Sequence, residues 1–227
     1  MIRNFLLSLL ALVGGQLFFA LTVSLGFVSG SFADANISLD AWQVSGFGDW
    51  KEKSFKGKTR YKAGLENGVY FLSAKANNAA SALFLDRKIN IKKSPILNWR
   101  WRLQEFNGAK NYLSKGEDDF PARIYVVVRD GFLPWQTLAI NYVWAEGEVG
   151  KAFWPNPFTA KAIMVPIAQG RDGAGEWRQE KVNIVADFKR LFDRDISAID
   201  GVAIMTDADN FGGVSAADYG AIWLSAE

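Results

Sequence analysis

The sequence predicts an all-β fold, a β-sandwich of two sheets packed face to face, with one short helix near residues 184–192. Short apolar or alternating runs follow one another from about residue 39 onward. Clusters of Gly, Asn, Asp and Pro separate these runs, as is typical of strands joined by turns. The 227 residues include 9 Trp, 17 Phe and 6 Tyr, which supply a large aromatic core. We therefore expect one domain over residues 36–227.

Residues 1–35 are predicted to be a signal peptide whose helix precedes this domain. Arg3 is the one charge in the first thirty residues, and an apolar run occupies residues 5–28. Small residues follow at cleavage spacing, so we expect a cut after Ala33 or Ala35 and a periplasmic or otherwise extracytoplasmic location. The alternative is an uncleaved anchor, because the run is long enough to span a bilayer. Membrane contact is expected only in that case.

About ten strands are predicted along the domain, from apolar or alternating runs bounded by turn residues. They lie near residues 41–46, 59–64, 68–75, 80–90, 95–104, 121–130, 136–144, 161–167, 176–183, 199–206 and 219–225. The pattern changes once, where apolar residues recur at helical spacing, and one amphipathic helix is expected there. These residues are Ile184, Val185, Phe188, Leu191 and Phe192.

The composition excludes several classes of site. The chain has no His and no Cys, so a Ser-His-Asp triad, a disulfide framework and the usual zinc site are absent. A net charge of +2 gives no reason to expect a nucleic-acid partner. No glycine-rich phosphate loop is present, so nucleotide binding is not expected.

The segment from Asn98 to Leu103 combines tryptophan and arginine on one strand. A strand period of two places Trp99 and Trp101 on one face and Arg100 and Arg102 on the other. The tryptophans are expected to fill the core. The guanidinium groups could clamp a carboxylate or sulfate, or pair with neighbouring acids.

Two acidic loops are further candidates. Asp118 and Asp119 precede Arg123 and a predicted buried strand, and they could bind a hard cation, orient an arginine or hold a sugar hydroxyl. A solvated turn or a structural ion pair with Arg123 is the alternative.

The second acidic loop contains Asp207, Asp209 and Asn210. It lacks the ligand spacing and closing Glu of an EF-hand, so only a generic oxygen-rich loop remains. A structural calcium ion at Asp207 and Asp209 is the one cofactor considered. The alternative is that these side chains cap the turn after a strand.

Aromatic and amide side chains near loops complete the set of candidates. Asn141, Tyr142 and Trp144 could contact a sugar, with the rings stacked on its face, or could pack in the core.

Together these motifs resemble a bacterial domain-of-unknown-function family, number 3047, over nearly the whole chain after the signal. More distantly, the order of the C-terminal strands resembles galactose-binding-like jelly rolls, which include carbohydrate-binding modules. This second resemblance implies a jelly-roll-like sandwich, often with a structural calcium ion. The residues that carry the family resemblance are Ser81-Ala82, 95–102, 116–123, 141–145, 156–159, Trp177, Glu180, Asn183 and 201–210.

Three hypotheses about function follow. The first is a non-catalytic module that binds an envelope glycan or another polyhydroxy ligand, with the candidate side chains near one surface. The second is a glycan-active enzyme that uses two carboxylates drawn from Asp118, Asp119, Glu180, Asp207 and Asp209. The third is a structural protein-interaction domain in which the polar groups form a buried ion-pair network.

Overall fold

The computed structural model describes residues 36–43, 46–109, 111–129, 131, 136–147 and 150–227. In these residues the protein is mostly β, with two sheets and one α-helix. The two sheets enclose a common core, which confirms the predicted β-sandwich. The predicted signal peptide, residues 1–35, lies outside the described residues.

A six-stranded sheet forms one layer. Its strand order is β11-β6-β13-β4-β3, and the short β1 pairs with β13. All of these pairs are antiparallel. The strands are β1 (Ile37–Ser38), β3 (Arg60–Glu66), β4 (Val69–Asn77), β6 (Ile96–Glu105), β11 (Arg178–Asn183) and β13 (Val214–Ser225).

A seven-stranded sheet forms the other layer, in the order β2-β5-β12-β7-β8-β10-β9. Strands β8 and β10 are parallel, and the other pairs of this sheet are antiparallel. The strands are β2 (Lys51–Lys56), β5 (Ala80–Asn90), β7 (Ala122–Arg129), β8 (Thr137–Ala145), β9 (Trp154–Asn156), β10 (Thr159–Gln169) and β12 (Ala198–Asp207).

Aromatic rings from both sheets meet in the core. Trp99 and Trp101 project inward from β6, and both are fully buried, as the alternating pattern predicted. The Trp99 ring centroid lies 5.6 Å from that of Tyr142, and the Trp101 centroid lies 5.7 Å from that of Trp144. Because Tyr142 and Trp144 belong to β8, these contacts fix how the sheets pack.

The predicted helix is present as α1, Ile184–Phe192. It begins where the Asn183 side chain accepts a hydrogen bond from the backbone N–H of Ala186, at 3.0 Å. It ends at Asp193, which adopts a left-handed conformation. Ile184 and Phe188 are buried on its inner side. Within the described residues, no helix is long and apolar enough to cross a membrane.

One strand prediction was wrong. In the described part of the segment 41–46, which lacks residues 44 and 45, an isolated bridge between Gln43 and Gly46 takes the place of a strand. Trp42 in this segment is nevertheless buried. Its Nε1–H donates to the carbonyl of Gly220 at 2.8 Å, and its ring packs on Trp50. Strands β1, β2 and β9 were not predicted, since β1 has two residues, β2 is a charged edge strand and β9 has three residues.

Candidate functional site

The outer face of the six-stranded sheet carries Arg100 and Arg102, as the period of two predicted. Strand β6 is flanked by β11 and β13, so both arginines stand in the interior of this sheet rather than at its edge. Because their neighbours in sequence, Trp99 and Trp101, are held in the core, the backbone fixes which face the arginines occupy.

Arg102 is fully engaged by acidic partners. Its Nε and Nη2 donate to Oδ2 of Asp218 at 2.9 and 2.8 Å, and its Nη1 donates to Glu66 at 3.1 Å. Gln104 also donates to Asp218, at 2.7 Å. The Arg102 guanidinium lies 4.6 Å from the centre of the Trp177 ring. Arg102 therefore positions the neighbouring side chains and has little capacity left for a ligand.

Arg100 differs from Arg102 in having free donors. Its guanidinium lies 5.3 Å from the centre of the Trp177 ring. It makes no hydrogen bond and no ion pair within the part of the chain that the structure describes. A guanidinium carries five N–H donors in a planar fork, so Arg100 can bind an oxygen-rich ligand without losing an existing partner.

Two aromatic rings lie over two glycines on this face. The centroids of Phe71 and Trp177 are 5.7 Å apart. A Cβ at Gly64 would lie 2.3 Å from the Phe71 ring, and a Cβ at Gly220 would lie 3.3 Å from the Trp177 ring. Glycine at these two strand positions therefore allows the rings to lie against the sheet.

These side chains border two adjoining depressions that share Phe71. The first, which we call the Arg100 cleft, has a volume of about 150 Å³. It is lined by Glu66, Asn67, Val69, Tyr70, Phe71, Arg100, Trp177, Gly220 and Ala221. The second is an open groove of about 590 Å³ that includes Lys62, Lys75 and Asp218. A ligand in the Arg100 cleft could therefore extend along the sheet.

Glu66 remains ionised in the Arg100 cleft. Its Oε2 accepts a hydrogen bond from the Trp177 indole N–H at 2.8 Å. This bond, together with those from Arg102, lowers the pKa of Glu66 below its ordinary value. The cleft thus offers cationic donors from Arg100 and a carboxylate acceptor from Glu66.

A second cluster, which we call the buried network, gathers the residues of both acidic loops. Arg123 Nε donates to Asp207 Oδ1 at 2.9 Å, and its Nη2 donates to Asp207 Oδ2. Arg123 also donates to the carbonyl of Asp118 at 2.6 Å and lies 4.6 Å from the centre of the Phe120 ring. Arg123 and Asp207 are each 1% exposed, so water does not screen this pair.

Burial and charge act in opposite directions on this pair. Burial raises the pKa of Asp207, and the Arg123 guanidinium opposes that rise. Asp207 in turn raises the pKa of Arg123. The guanidinium donates to both oxygens of Asp207, and the backbone N–H of Phe120 donates to Oδ1 at 3.0 Å, so the hydrogen bonding favours the charged form of the pair against the effect of burial.

Asp119 organises the second loop rather than facing solvent. Its Oδ1 accepts from the backbone N–H groups of Asp209 and Asn210 at 3.1 and 3.0 Å. Its Oδ2 accepts from those of Phe211 and Gly212 at 2.8 and 3.4 Å. The carboxylate, which is 1% exposed, therefore anchors four successive amides after β12. The side chain of Asn210 adds a further donor at 3.1 Å.

The other predicted candidates are also buried. The Tyr142 hydroxyl donates to Asp187 at 2.9 Å, and the Trp144 indole donates to the carbonyl of Gly170 at 2.9 Å. Asn141 lies on the opposite face of β8, is 0% exposed, and its side-chain amide has no hydrogen-bond partner among the described residues. None of the three is placed to contact a ligand on the outer face.

The expectation that all the candidates lie near one surface was therefore wrong. Arg100 and Arg102 lie on the six-stranded sheet, whereas Asp118, Asp119, Arg123, Asp207, Asp209 and Asn210 belong to the buried network. The physical reason is strand pairing: β7 pairs with β12 in the seven-stranded sheet, with Arg123 opposite Met205. This register brings the two acidic loops together at the seven-stranded sheet, whereas β6 with its two arginines belongs to the other sheet.

The buried network does not fit a calcium ion well. Carboxylate oxygens of Asp119, Asp207 and Asp209 do lie within 4.8 Å of one another. However, Asp119 accepts four backbone N–H groups and both oxygens of Asp207 accept from Arg123, so two of the three carboxylates already face donors. Arg123 supplies the positive charge that calcium would bring.

We accordingly expect added calcium to leave the melting temperature unchanged. A ligand at one hundred times its dissociation constant stabilises the folded state by about 2.7 kcal/mol. In a domain of this size that corresponds to a rise of about 5 °C or more. Thermal unfolding with excess EDTA and with 5 to 10 mM calcium, against a magnesium control, measures the difference. A calcium-specific rise of several degrees would contradict the interpretation.

The carboxylates considered for an enzyme do not share a cleft. Asp118 and Asp207 are paired with Arg123, and Asp119 is saturated by amides. Glu180 lies on β11, where it accepts from the Trp101 indole at 3.1 Å. None of them lines the Arg100 cleft or the adjoining groove. In the described structure, these five carboxyls therefore supply no pair that flanks either depression.

The sequence reasoning did not identify Glu66, Tyr70 and Phe71 of the Arg100 cleft, or Asp218 of the adjoining groove, as residues of a ligand-binding face. It identified Trp177 only as part of the family resemblance. One available signal was a glycine inside each of two strands, Gly64 in β3 and Gly220 in β13. Glycine in a strand interior marks a close approach by another group. Here the approaching groups are the rings of Phe71 and Trp177.

The fold and the two clusters define a class of protein: a two-sheet β-sandwich with a buried ion-pair network and a separate, open face of arginine and aromatic side chains. Residues 48–223 match a family described as "Protein of unknown function (DUF3047)", and the chain belongs to this family. The resemblance noted in the sequence is thereby confirmed. No curated protein matches the chain.

Three solved structures are similar to this chain, each at 13% sequence identity. The glycoside hydrolase domain of Endo-D from Streptococcus pneumoniae R6 has a TM-score of 0.40, over 78% of this chain and 22% of that one. A structure of carbohydrate-binding modules from the β-sandwich superfamily has a TM-score of 0.43, over 85% of this chain and 64% of that one. The carbohydrate recognition domain of Emp47p has a TM-score of 0.41, over 87% of this chain and 99% of that one. The chain thus spans less than two thirds of the first two, and TM-scores this low establish no shared ligand.

Proposed function

We propose that the protein is a non-catalytic module that binds a glycan or a related polyhydroxy ligand on the outer face of the six-stranded sheet. The observation that carries the proposal is Arg100, a guanidinium without a hydrogen-bond partner among the described residues, placed beside Trp177 and Glu66 in one cleft. Residues 1–35 support an extracytoplasmic location, where such ligands occur. The jelly-roll-like character of the sandwich, expected from the sequence, stays a prediction.

The chemistry of the Arg100 cleft suits a sugar. Hydroxyl groups both donate and accept hydrogen bonds, so a sugar can accept from Arg100 and donate to Glu66 at the same time. Tyr70 is 42% exposed at the rim, and Trp177 offers part of its indole. Aromatic rings present an apolar surface on which the C–H groups of a sugar can pack.

The placement of the cleft also suits binding rather than catalysis. Glu66 and Asp218 on this face both contact Arg102, so each carboxylate lies against a guanidinium. A general acid requires a carboxyl that stays protonated near neutral pH, which needs an apolar or acidic surrounding instead. Glu66 has the opposite surrounding, and its pKa is lowered.

Substitution of Trp177 by alanine is the test of this proposal. A glycan array of neutral and acidic envelope polysaccharides, probed with the purified protein, identifies ligands, and calorimetry then measures affinity. We expect Trp177→Ala to weaken binding at least about tenfold, since loss of about 1.4 kcal/mol gives that factor. Phe153→Ala is the matched control, because Phe153 is a 44% exposed ring that does not line the cleft. Equal affinity of the two variants, or a blank array, would refute the proposal.

A further inference from the structure

We propose that the ligand is an anionic glycan with one carboxylate on a sugar ring, and that the Arg100 guanidinium binds this carboxylate bidentately. The inference rests on the proposed function and adds the chemical class of the ligand. It depends on three features of the outer face: the free donors of Arg100, the charge balance around it, and the acceptor beside it.

The free donors of Arg100 favour a charged ligand over a neutral one. A guanidinium that is partly withdrawn from water gains most from a planar pair of oxygens, which accept two parallel N–H groups. The adjacent Arg102 shows the local preference, since it binds the carboxylates of both Asp218 and Glu66. Arg100 has the same chemistry on the same strand face, and its charge helps to lower the pKa of the neighbouring Glu66, but it forms no ion pair or hydrogen bond with a described residue.

The charge balance leaves room for one negative group. Glu66 and Asp218 contact Arg102, and Glu105 contacts Lys75 at 3.3 Å. Lys62 lines the adjoining groove and makes no ion pair with another described residue. Around the two depressions Lys62, Lys75, Arg100 and Arg102 therefore face Glu66, Glu105 and Asp218, which leaves a single net positive charge there before a ligand binds.

A carboxylate fits this balance better than a phosphate group. A phosphate monoester carries between one and two negative charges near neutral pH, and it would lie close to the ionised Glu66. A uronate carries one charge, and its ring hydroxyls can donate to Glu66 while its carboxylate accepts from Arg100. At about 150 Å³ the cleft is small, which suits one sugar ring, with further rings along the groove beside Phe71.

The experiment compares two probes with the same sugar backbone, one with free carboxylates and one with those carboxylates neutralised as methyl esters. Trigalacturonic acid and its fully methyl-esterified form are titrated into the purified protein by calorimetry, at low and at physiological salt. The protein is tested unchanged and as Arg100→Met, Arg100→Lys and Lys88→Met. Lys88 is exposed on β5 of the other sheet and serves as the control for loss of one positive charge. Circular dichroism confirms that each variant is folded.

We expect the acid to bind at least about tenfold more tightly than its ester, with an affinity that falls as salt is added. Arg100→Met should abolish this preference, Arg100→Lys should restore only part of it because the ammonium group lacks the planar fork, and Lys88→Met should keep it. Equal binding of acid and ester, with loss of both in Trp177→Ala, would overturn the inference and leave the proposed function standing. Failure of every neutral and acidic glycan to bind would overturn both.

Discussion

Arg123→Met is expected to destabilise the domain by about 3–5 kcal/mol, because it leaves Asp207 and Asp118 buried without a counter-charge. Asp207 would lose the donors of Arg123 on both of its oxygens. The carbonyl of Asp118 would lose its 2.6 Å hydrogen bond as well. Since a domain has a total stability of about 5–15 kcal/mol, much of the protein would be unfolded under mild conditions.

Arg100→Met is the matched control for this prediction, since it makes the same chemical change on the same fold. Arg100 contacts the Trp177 ring and forms no ion pair with a described residue, so its loss should cost less than about 1 kcal/mol. Urea unfolding, followed by tryptophan fluorescence and by circular dichroism, measures both. Similar destabilisation by the two variants would show that Arg123 is not the centre of a buried network.

Asp119→Ala is expected to have a similarly large effect, about 3 kcal/mol or more, for a different reason. The substitution leaves the amides of residues 209–212 without their common acceptor, in a place where water cannot replace it fully. The side chain of Asn107, which donates to Asp119 at 2.8 Å, would lose its partner too. In Asp119→Ala, hydrogen–deuterium exchange of these four backbone amides should become faster than exchange of the backbone amides of β6.

Asp172→Ala is the control for Asp119→Ala, because Asp172 is exposed and makes no hydrogen bond or ion pair with another described residue. Its unfolding free energy should stay within about 0.5 kcal/mol of the unchanged protein. If Asp119→Ala proves equally mild and the exchange of residues 209–212 is unaltered, the role assigned to Asp119 is wrong.

Local periodicity accounts for the parts of the fold that the sequence predicted correctly. The alternation from Asn98 to Leu103 was sufficient to place Trp99 in the core and Arg100 on the outer face, since both are consequences of one strand's geometry. The helical spacing after Asn183 likewise predicted α1. These features depend on neighbours in sequence and on nothing farther away.

The composition of each site could not be predicted in the same way. Arg123 and Asp207 are 84 residues apart, and Trp177 and Glu66 are 111 residues apart. The first contact depends on the pairing of β7 with β12, and the second on the order β11-β6-β13-β4-β3. Because strand order is a property of the whole sheet, no local pattern separates the buried acids from those on the ligand face.

The division into two clusters also changes how the three initial hypotheses relate to one another. The buried-network hypothesis describes Arg123 and the two acidic loops, whereas the binding hypothesis describes Arg100 and its aromatic neighbours. They apply to different residues and are compatible in one molecule. Stability variants therefore test the first cluster, and ligand titrations test the second.

The central claim, that ligands bind at the Arg100 cleft and not at the acidic loops, is tested most directly by nitrogen-15 NMR during a titration with trigalacturonic acid. The indole N–H signals are well suited to this, since Trp177 lines the cleft while Trp99 and Trp144 are buried in the core. We predict shifts at the Trp177 indole and at backbone amides of residues 66–71 and 98–102. Shifts confined to residues 118–123 and 206–213 would contradict the claim.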